Sequence, residues 1–247
     1  MSQYLETAID AARKAGTLLR DNYETDLVVN ELHDHDIKLD LDVRSQELIT
    51  DCLLKAFPEH ALYGEEGLAG NSESDWQWVV DPIDGTVNYF YGIPHFCVSI
   101  ALRHQQEIVV GVIYDPMMDE LWAVEKDGHP TLNGREIQGS SRDQLKDTVM
   151  TIGFSKTKES MDVGLKRYKE IAYKVRKTRM LGSAALALAY ISCGRLDAYI
   201  EESISLWDVA AGILLVESVG GKIELTPLSS SDDQFAIVAT NGKITFD

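Results

Sequence analysis

The sequence predicts a layered α/β protein. Apolar residues recur at three- and four-residue spacing in several segments, the period of an amphipathic helix. Short apolar or alternating runs fill the middle of the chain, and in the second half helical and strand-like segments interleave. With 247 residues and 45% apolar content, the chain can build one large domain or two lobes sharing a core.

In chain order, Leu5, Ala8, Ala12, Ala15, Leu19 and Tyr23 define a first helix, with Ser2 as its N-cap. Residues 30–40 are rich in acids and histidine and read as a loop. A second helix follows, with Leu41, Leu48, Cys52, Leu53 and Ala56 on one side, and Pro58 stops it. Residues 76–80, 96–102, 108–114 and 121–124 read as strands, and Asp127-Gly128 as a turn. Beyond them the expectation is a strand over 148–154, a helix over 162–174 and a helix over 183–192 ending at Cys193-Gly194. A strand over 198–200, a helix over 208–219 closed by Gly220-Gly221, and a strand over 236–239 complete the pattern. Residues 227–234 read as a polar surface loop. Gly139-Ser140-Ser141 and the polar run after it suggest a division into an N-terminal lobe, 1–143, and a C-terminal lobe, 144–247, forming one inseparable unit.

The net charge of −17 argues against direct contact with nucleic acid or an anionic membrane. No signal-peptide pattern opens the chain, and the longest apolar run, 184–193, is about half of the roughly 20 residues a bilayer requires. Cys52, Cys97 and Cys193 are odd in number and widely spaced, which fits reduced thiols rather than a disulfide framework or a zinc site. The expectation is a soluble, cytoplasmic protein. Arg176, Lys177 and Arg179 read as a surface ion-pairing cluster. His33-Asp34-His35-Asp36 matches no tight set of metal ligands and reads as a solvated loop.

Acidic residues stand out against this frame. Glu65-Glu66 lies between glycines after a short apolar segment. Asp81-Pro82-Ile83-Asp84-Gly85-Thr86 directly follows the strand at 76–80. Asp208 follows Trp207 and opens an apolar helix, and Asp42 lies at the start of the second helix. A carboxylate at a strand end beside turn residues is held on a rigid element and faces the crevice where α/β sheets bind ligands. Oxygen ligands without nearby Cys or His pairs favour Mg2+ over zinc. Each feature also has a plainer explanation: Asp-Pro and Asp-Gly form turns, a Glu pair solvates a loop, and Asp208 can cap its helix.

The chain resembles the inositol monophosphatase family of Mg2+-dependent, lithium-sensitive sugar phosphatases. The resemblance rests on Asp81-Pro82-Ile83-Asp84-Gly85-Thr86 followed by Asn88 and an apolar strand, and on Gly64-Glu65-Glu66. It also rests on Gly182-Ser183-Ala184-Ala185 and on Trp207-Asp208-Val209-Ala210-Ala211-Gly212 with the later Gly220-Gly221. These motifs occur in family order over almost the whole chain. The resemblance implies an α/β/α/β/α sandwich with the active site between the lobes, and two or three Mg2+ ions. Glu65, Asp81 and the Ile83 carbonyl would hold the first ion, and Asp81, Asp84 and Asp208 the second. A weaker third would lie near Glu65. Asp42 and Thr86 would activate the attacking water, with Glu65 also part of the catalytic set. Gly85 and Thr86 would cradle phosphate, while Gly182, Ser183, Ala184 and Glu201, with Asp84 and Asp208, would contact the substrate. One departure is Lys38-Leu39-Asp40-Leu41-Asp42, where the family commonly has Val-Thr-x-x-Asp.

The implied reaction is hydrolysis of a small phosphomonoester, with inositol 1-phosphate or a similar polyol phosphate ranked first. Histidinol phosphate ranks second, and a bisphosphate such as fructose 1,6-bisphosphate third. A homodimer is expected from the family's habit. A reading of another class is a regulatory binding partner of the transcription machinery, as some bacterial members are.

Overall fold

The computed structural model describes residues 1–33, 36–154, 158–228 and 233–246. Helix α1 (Gln3–Asp21) begins where the Ser2 hydroxyl accepts the Leu5 N–H at 3.2 Å, and it buries Leu5, Ala8, Ala12, Ala15 and Leu19. Residues expected to form a loop instead make an antiparallel hairpin, β1 (Val29–His33) with β2 (Asp36–Leu39). Backbone pairing supplies what apolar alternation could not, so the polar composition concealed it. His33-Asp34-His35-Asp36 includes positions outside the described residues. The second helix, α2 (Asp40–Ala56), matches its expected span.

The large sheet comprises β3 (Ala61–Gly64), β4 (Gly67–Gly70), β5 (Trp76–Asp84), β6 (Cys97–His104), β7 (Glu107–Asp115), β8 (Glu120–Glu125), β9 (Thr131–Leu132) and β10 (Arg135–Glu136). Its order is β10-β9-β8-β7-β6-β5-β3-β4, antiparallel except where β3 runs parallel to β5. Short α3 (Thr86–Phe90) follows β5 directly. The second sheet contains β11 (Val149–Ile152), β12 (Lys177–Arg179), β13 (Ala198–Ser205), β14 (Lys222–Pro227) and β15 (Gln234–Thr240), in the order β12-β11-β13-β15-β14. Between these strands run α4 (Lys158–Ala172), α5 (Ala184–Ser192) and α6 (Leu206–Ser218). Part of the polar stretch at 227–234 lies outside the described residues, and Gln234 already belongs to β15.

Strand alternation accounts for the layering. Trp78 and Val80 face α1 and α2, joining Leu41, Ile49 and Leu53, whereas Val79 points to the opposite face with Ala101, Ile113 and Trp122. That opposite face is covered by Ala185 and Ala189 of α5 and by Ala210 and Leu214 of α6. The far sides of the same two helices, through Leu188, Ile191, Val209 and Val216, pack on Tyr199, Ile237 and Ala239 of the small sheet. The other face of that sheet places Met150, Ile152, Ala198 and Ile200 against Ile171 of α4. The fold is thus a five-layer α/β/α/β/α sandwich, with α5 and α6 apolar all round because sheets cover both sides of them.

Candidate metal centre and substrate cavity

The β5 end carries two carboxylates through a distortion. Residues three apart on a regular strand point to opposite faces. Here the pairing of β5 with β6 shifts between Asp81 and Asp84, where Pro82 lacks an N–H for the ladder. The bulge turns Asp81 and Asp84 toward the same crevice. Asp208 arrives as the third residue of α6, with its Oδ2 accepting the Ser205 N–H at 2.9 Å. The N-cap is therefore Ser205, and Asp208 forms the reciprocal half of a capping box. Oxygens of Asp81, Asp84 and Asp208 lie within 4.8 Å of one another.

The surrounding backbone organises each acid. Oδ1 of Asp81 accepts the Ile83 N–H at 3.0 Å. Oδ2 of Asp84 accepts the Ser183 hydroxyl and the Ala185 N–H at 2.7 Å, while Oδ1 takes a longer 3.3 Å bond from the Ala184 N–H. The start of α5 thus grips Asp84, and in this arrangement the donors of Ser183 and Ala184 face an acid of the cluster. The thiol of buried Cys97 lies 3.7 Å from the same Oδ2. Burial, then the charges of Glu65, Asp84 and Asp208, push the Asp81 carboxyl well above the ordinary range. Burial also raises Asp84, against the bonds it accepts from Ser183, Ala185 and Ala184.

Asp42 occupies the edge of this group. Its Oδ2 accepts the Leu39 N–H at 2.8 Å, and its Oδ1 lies 3.2 Å from the Thr86 hydroxyl, which is also 2.9 Å from the Ile83 carbonyl. Burial lifts the Asp42 carboxyl to about 7, with the Glu66 charge adding to it and the bonds from Leu39 and Thr86 opposing. Glu65 projects from the turn between β3 and β4. That turn is clamped by Gln46 of α2, whose Oε1 accepts the Glu66 N–H at 2.9 Å and whose Nε2 donates to the Gly67 carbonyl at 3.2 Å. Lys38, in the departing segment, meets Glu66 at 3.4 Å. Burial opposes its charge, but Glu66, Glu65 and Glu31 together raise the Lys38 pKa.

Every expected site residue except Asp42 lines one cavity of about 400 Å3: Glu65, Asp81, Ile83, Asp84, Gly85, Thr86, Gly182, Ser183, Ala184, Glu201 and Asp208. Asp42 reaches the cavity through Thr86. Gly85 has φ of 100°, and a methyl there would lie 3.1 Å from the His95 carbonyl and 3.2 Å from that of Gly182, so glycine is required. Asn88 ties the two halves of the rim, with Nδ2 within 2.8 Å of the carbonyls of both His95 and Leu181. Sequence reasoning did not assign roles to Gln46, Gly153 or Tyr199. The spacing of Gln46 from Asp42, one helical turn on the same face, is a signal that could have found it. Arg176 ion-pairs with Asp147 at 2.6 Å, as the surface reading of the basic cluster expects.

The donor set fits a hard divalent cation, because oxygen ligands converge, and the crowded carboxylates need a cation or protons to coexist. A model of the inositol monophosphatase family matches residues 1–240. The chain belongs to that family. Inositol monophosphatase 2 of Solanum lycopersicum is 39% identical over 99% of this chain and 96% of that protein. Nus factor SuhB of Escherichia coli (strain K12) is 38% identical over 90% of this chain and 84% of that one. Among solved structures, inositol monophosphatase from Anabaena (Nostoc) sp. PCC 7120 superposes with a TM-score of 0.84 at 35% identity, covering 97% of this chain and 91% of its own. Family membership supports a phosphatase that uses a divalent metal. Among the described residues, no helix is long and apolar enough to cross a membrane.

Proposed function

We infer that this chain hydrolyses a small polyol phosphomonoester, with inositol 1-phosphate first among candidates, in a Mg2+-dependent reaction. The observation that carries this reading is the cavity itself, where the Asp81, Asp84 and Asp208 carboxylates share a space with the Glu201 carboxylate. Glu65, Asp81, the Ile83 carbonyl, Asp84 and Asp208 are the residues that would hold two or three ions. Bound divalent cations supply phosphate neutralisation, an acidified water and stabilisation of the departing alkoxide.

The protein's own residues do the remaining work. Asp42 and Thr86 form a hydrogen-bonded pair suited to orient a water and accept its proton, since a carboxyl near 7 exchanges protons at neutral pH. Gly85 and Thr86 offer backbone N–H groups to phosphate oxygens. Glu201 accepts hydrogen bonds from hydroxyls of the leaving group. Positioning and charge stabilisation suffice, and no nucleophilic side chain is needed. A homodimer, by the family's habit, in the cytoplasm, by the reduced-thiol reading of the cysteines, completes the proposal.

The test is phosphate release from inositol 1-phosphate, histidinol phosphate, fructose 1,6-bisphosphate, adenosine 3′,5′-bisphosphate and NADP, with and without Mg2+ and Li+. Mg2+-dependent, Li+-inhibited release with inositol 1-phosphate preferred supports the reading, and folded, Mg2+-binding protein that turns over none of them overturns it. The similarity to Nus factor SuhB favours a second reading, a regulatory partner of the transcription machinery. Retention of RNA polymerase by the Asp84→Asn variant, with no turnover by the wild type, would bring it to the front.

A further inference from the structure

Strand β13 sends its side chains alternately to its two faces. Ala198 and Ile200 pack toward α4, while Tyr199 and Glu201 line the cavity. Tyr199 is 2% exposed, and its phenol donates a short hydrogen bond to Oε2 of Glu201. On the neighbouring parallel strand Thr151 pairs with Tyr199 and Ile152 with Ile200, and the Gly153 N–H then donates to the Ile200 carbonyl at 2.9 Å. That register sets Gly153 directly beside Glu201. A methyl on Gly153 would lie 1.7 Å from Oε2 of Glu201 and 2.4 Å from its Cδ. Gly153 has no left-handed φ, so its missing side chain provides space rather than conformational freedom.

We propose that Tyr199 and Gly153 are positioning residues that seat the Glu201 carboxylate on the cavity wall, so that the site selects a substrate whose leaving group carries hydroxyls. This rests on the polyol phosphomonoester reading above. The phenol engages one carboxylate oxygen, which stops the side chain from swinging and turns the rest of the carboxylate toward the cavity. A seated carboxylate accepts hydrogen bonds from hydroxyls.

The experiment compares Tyr199→Phe, Gly153→Ala and Glu201→Gln on inositol 1-phosphate and p-nitrophenyl phosphate, with crystal structures of the Mg2+-loaded variants. Tyr199→Phe is expected to lower the ratio of kcat/KM for inositol 1-phosphate over p-nitrophenyl phosphate by about tenfold, through KM, the loss of one hydrogen bond to a charged group. Gly153→Ala should lower it further and displace Glu201 in the crystal. Adding Tyr199→Phe to Glu201→Gln should lower the ratio no more than Glu201→Gln does. An unchanged ratio in Tyr199→Phe and Gly153→Ala, with Glu201 in its wild-type place, overturns the proposal. Wild-type protein that cleaves p-nitrophenyl phosphate but no polyol phosphate overturns the substrate reading instead. The crystallographic position of Glu201 still decides the seating in that case.

Discussion

At the residue scale the chemistry depends on carboxylates whose surroundings disfavour their charge. Asp84→Asn removes one acid from the centre while keeping its shape, and turnover should fall by about 10³-fold or more with the fold retained, as read by phosphate release and circular dichroism. Asp42 allows a test by pH. Its native pKa of about 7 stands above the ordinary 3.8, so between those values the native state binds more protons than the unfolded chain. The stability linked to Asp42 is therefore fully present below about pH 4 and is lost as pH rises toward 7. At roughly 1.4 kcal/mol per unit, the loss is about 4 kcal/mol at most. Urea denaturation in EDTA should show wild-type stability declining from pH 4.5 to 7.5 more steeply than that of Asp42→Asn, and equal slopes would refute the assignment.

At the element scale, short distortions and helix starts do the positioning. The β5 bulge brings Asp81 and Asp84 together, and the first turns of α2, α5 and α6 hold Asp42, Asp84 and Asp208 through backbone N–H groups. Gly85→Ala should cost about 1–3 kcal/mol, because its left-handed φ strains a side chain and the carbonyls of His95 and Gly182 would have to give way to a methyl. Thermal denaturation would measure that cost, and activity should fall with it since Thr86 is the next residue. These devices were partly legible in the sequence. Pro82 and Gly85 mark a turn, but whether that turn inverts the alternation depends on the register against β6, which local sequence does not specify. The hairpin at β1 and β2 was missed for a related reason, since its polar residues carry no apolar period.

At the scale of the whole molecule the two halves of the chain share their packing. Helices α5 and α6 come from the second half of the chain, yet they cover Val79, Ala101, Ile113 and Trp122 of the large sheet. We propose that residues 1–143 expressed alone would expose this apolar face and fail to unfold cooperatively, whereas the full chain would give one urea transition. An independently cooperative 1–143 fragment would argue for separable lobes. Divalent cations should link to the same stability. Mg2+ at about 100 times its dissociation constant should stabilise the wild type by about 2.7 kcal/mol per linked site, with a smaller gain in Asp81→Asn by differential scanning fluorimetry.

The sequence by itself determined the α/β class, most helices and central strands, and the acid, hydroxyl and glycine types of the site, because these follow from local periodicity, turn chemistry and motif order. Only the tertiary structure decided which acids share one space. Asp208 meets Asp81 and Asp84 because α6 packs between the two sheets, and Gln46 reaches the Glu65-Glu66 turn across a helix–strand contact. Tyr199 and Gly153 flank Glu201 only through the pairing register of β11 and β13. Such convergence is set by long-range packing and strand register, which a linear pattern of residues does not encode locally.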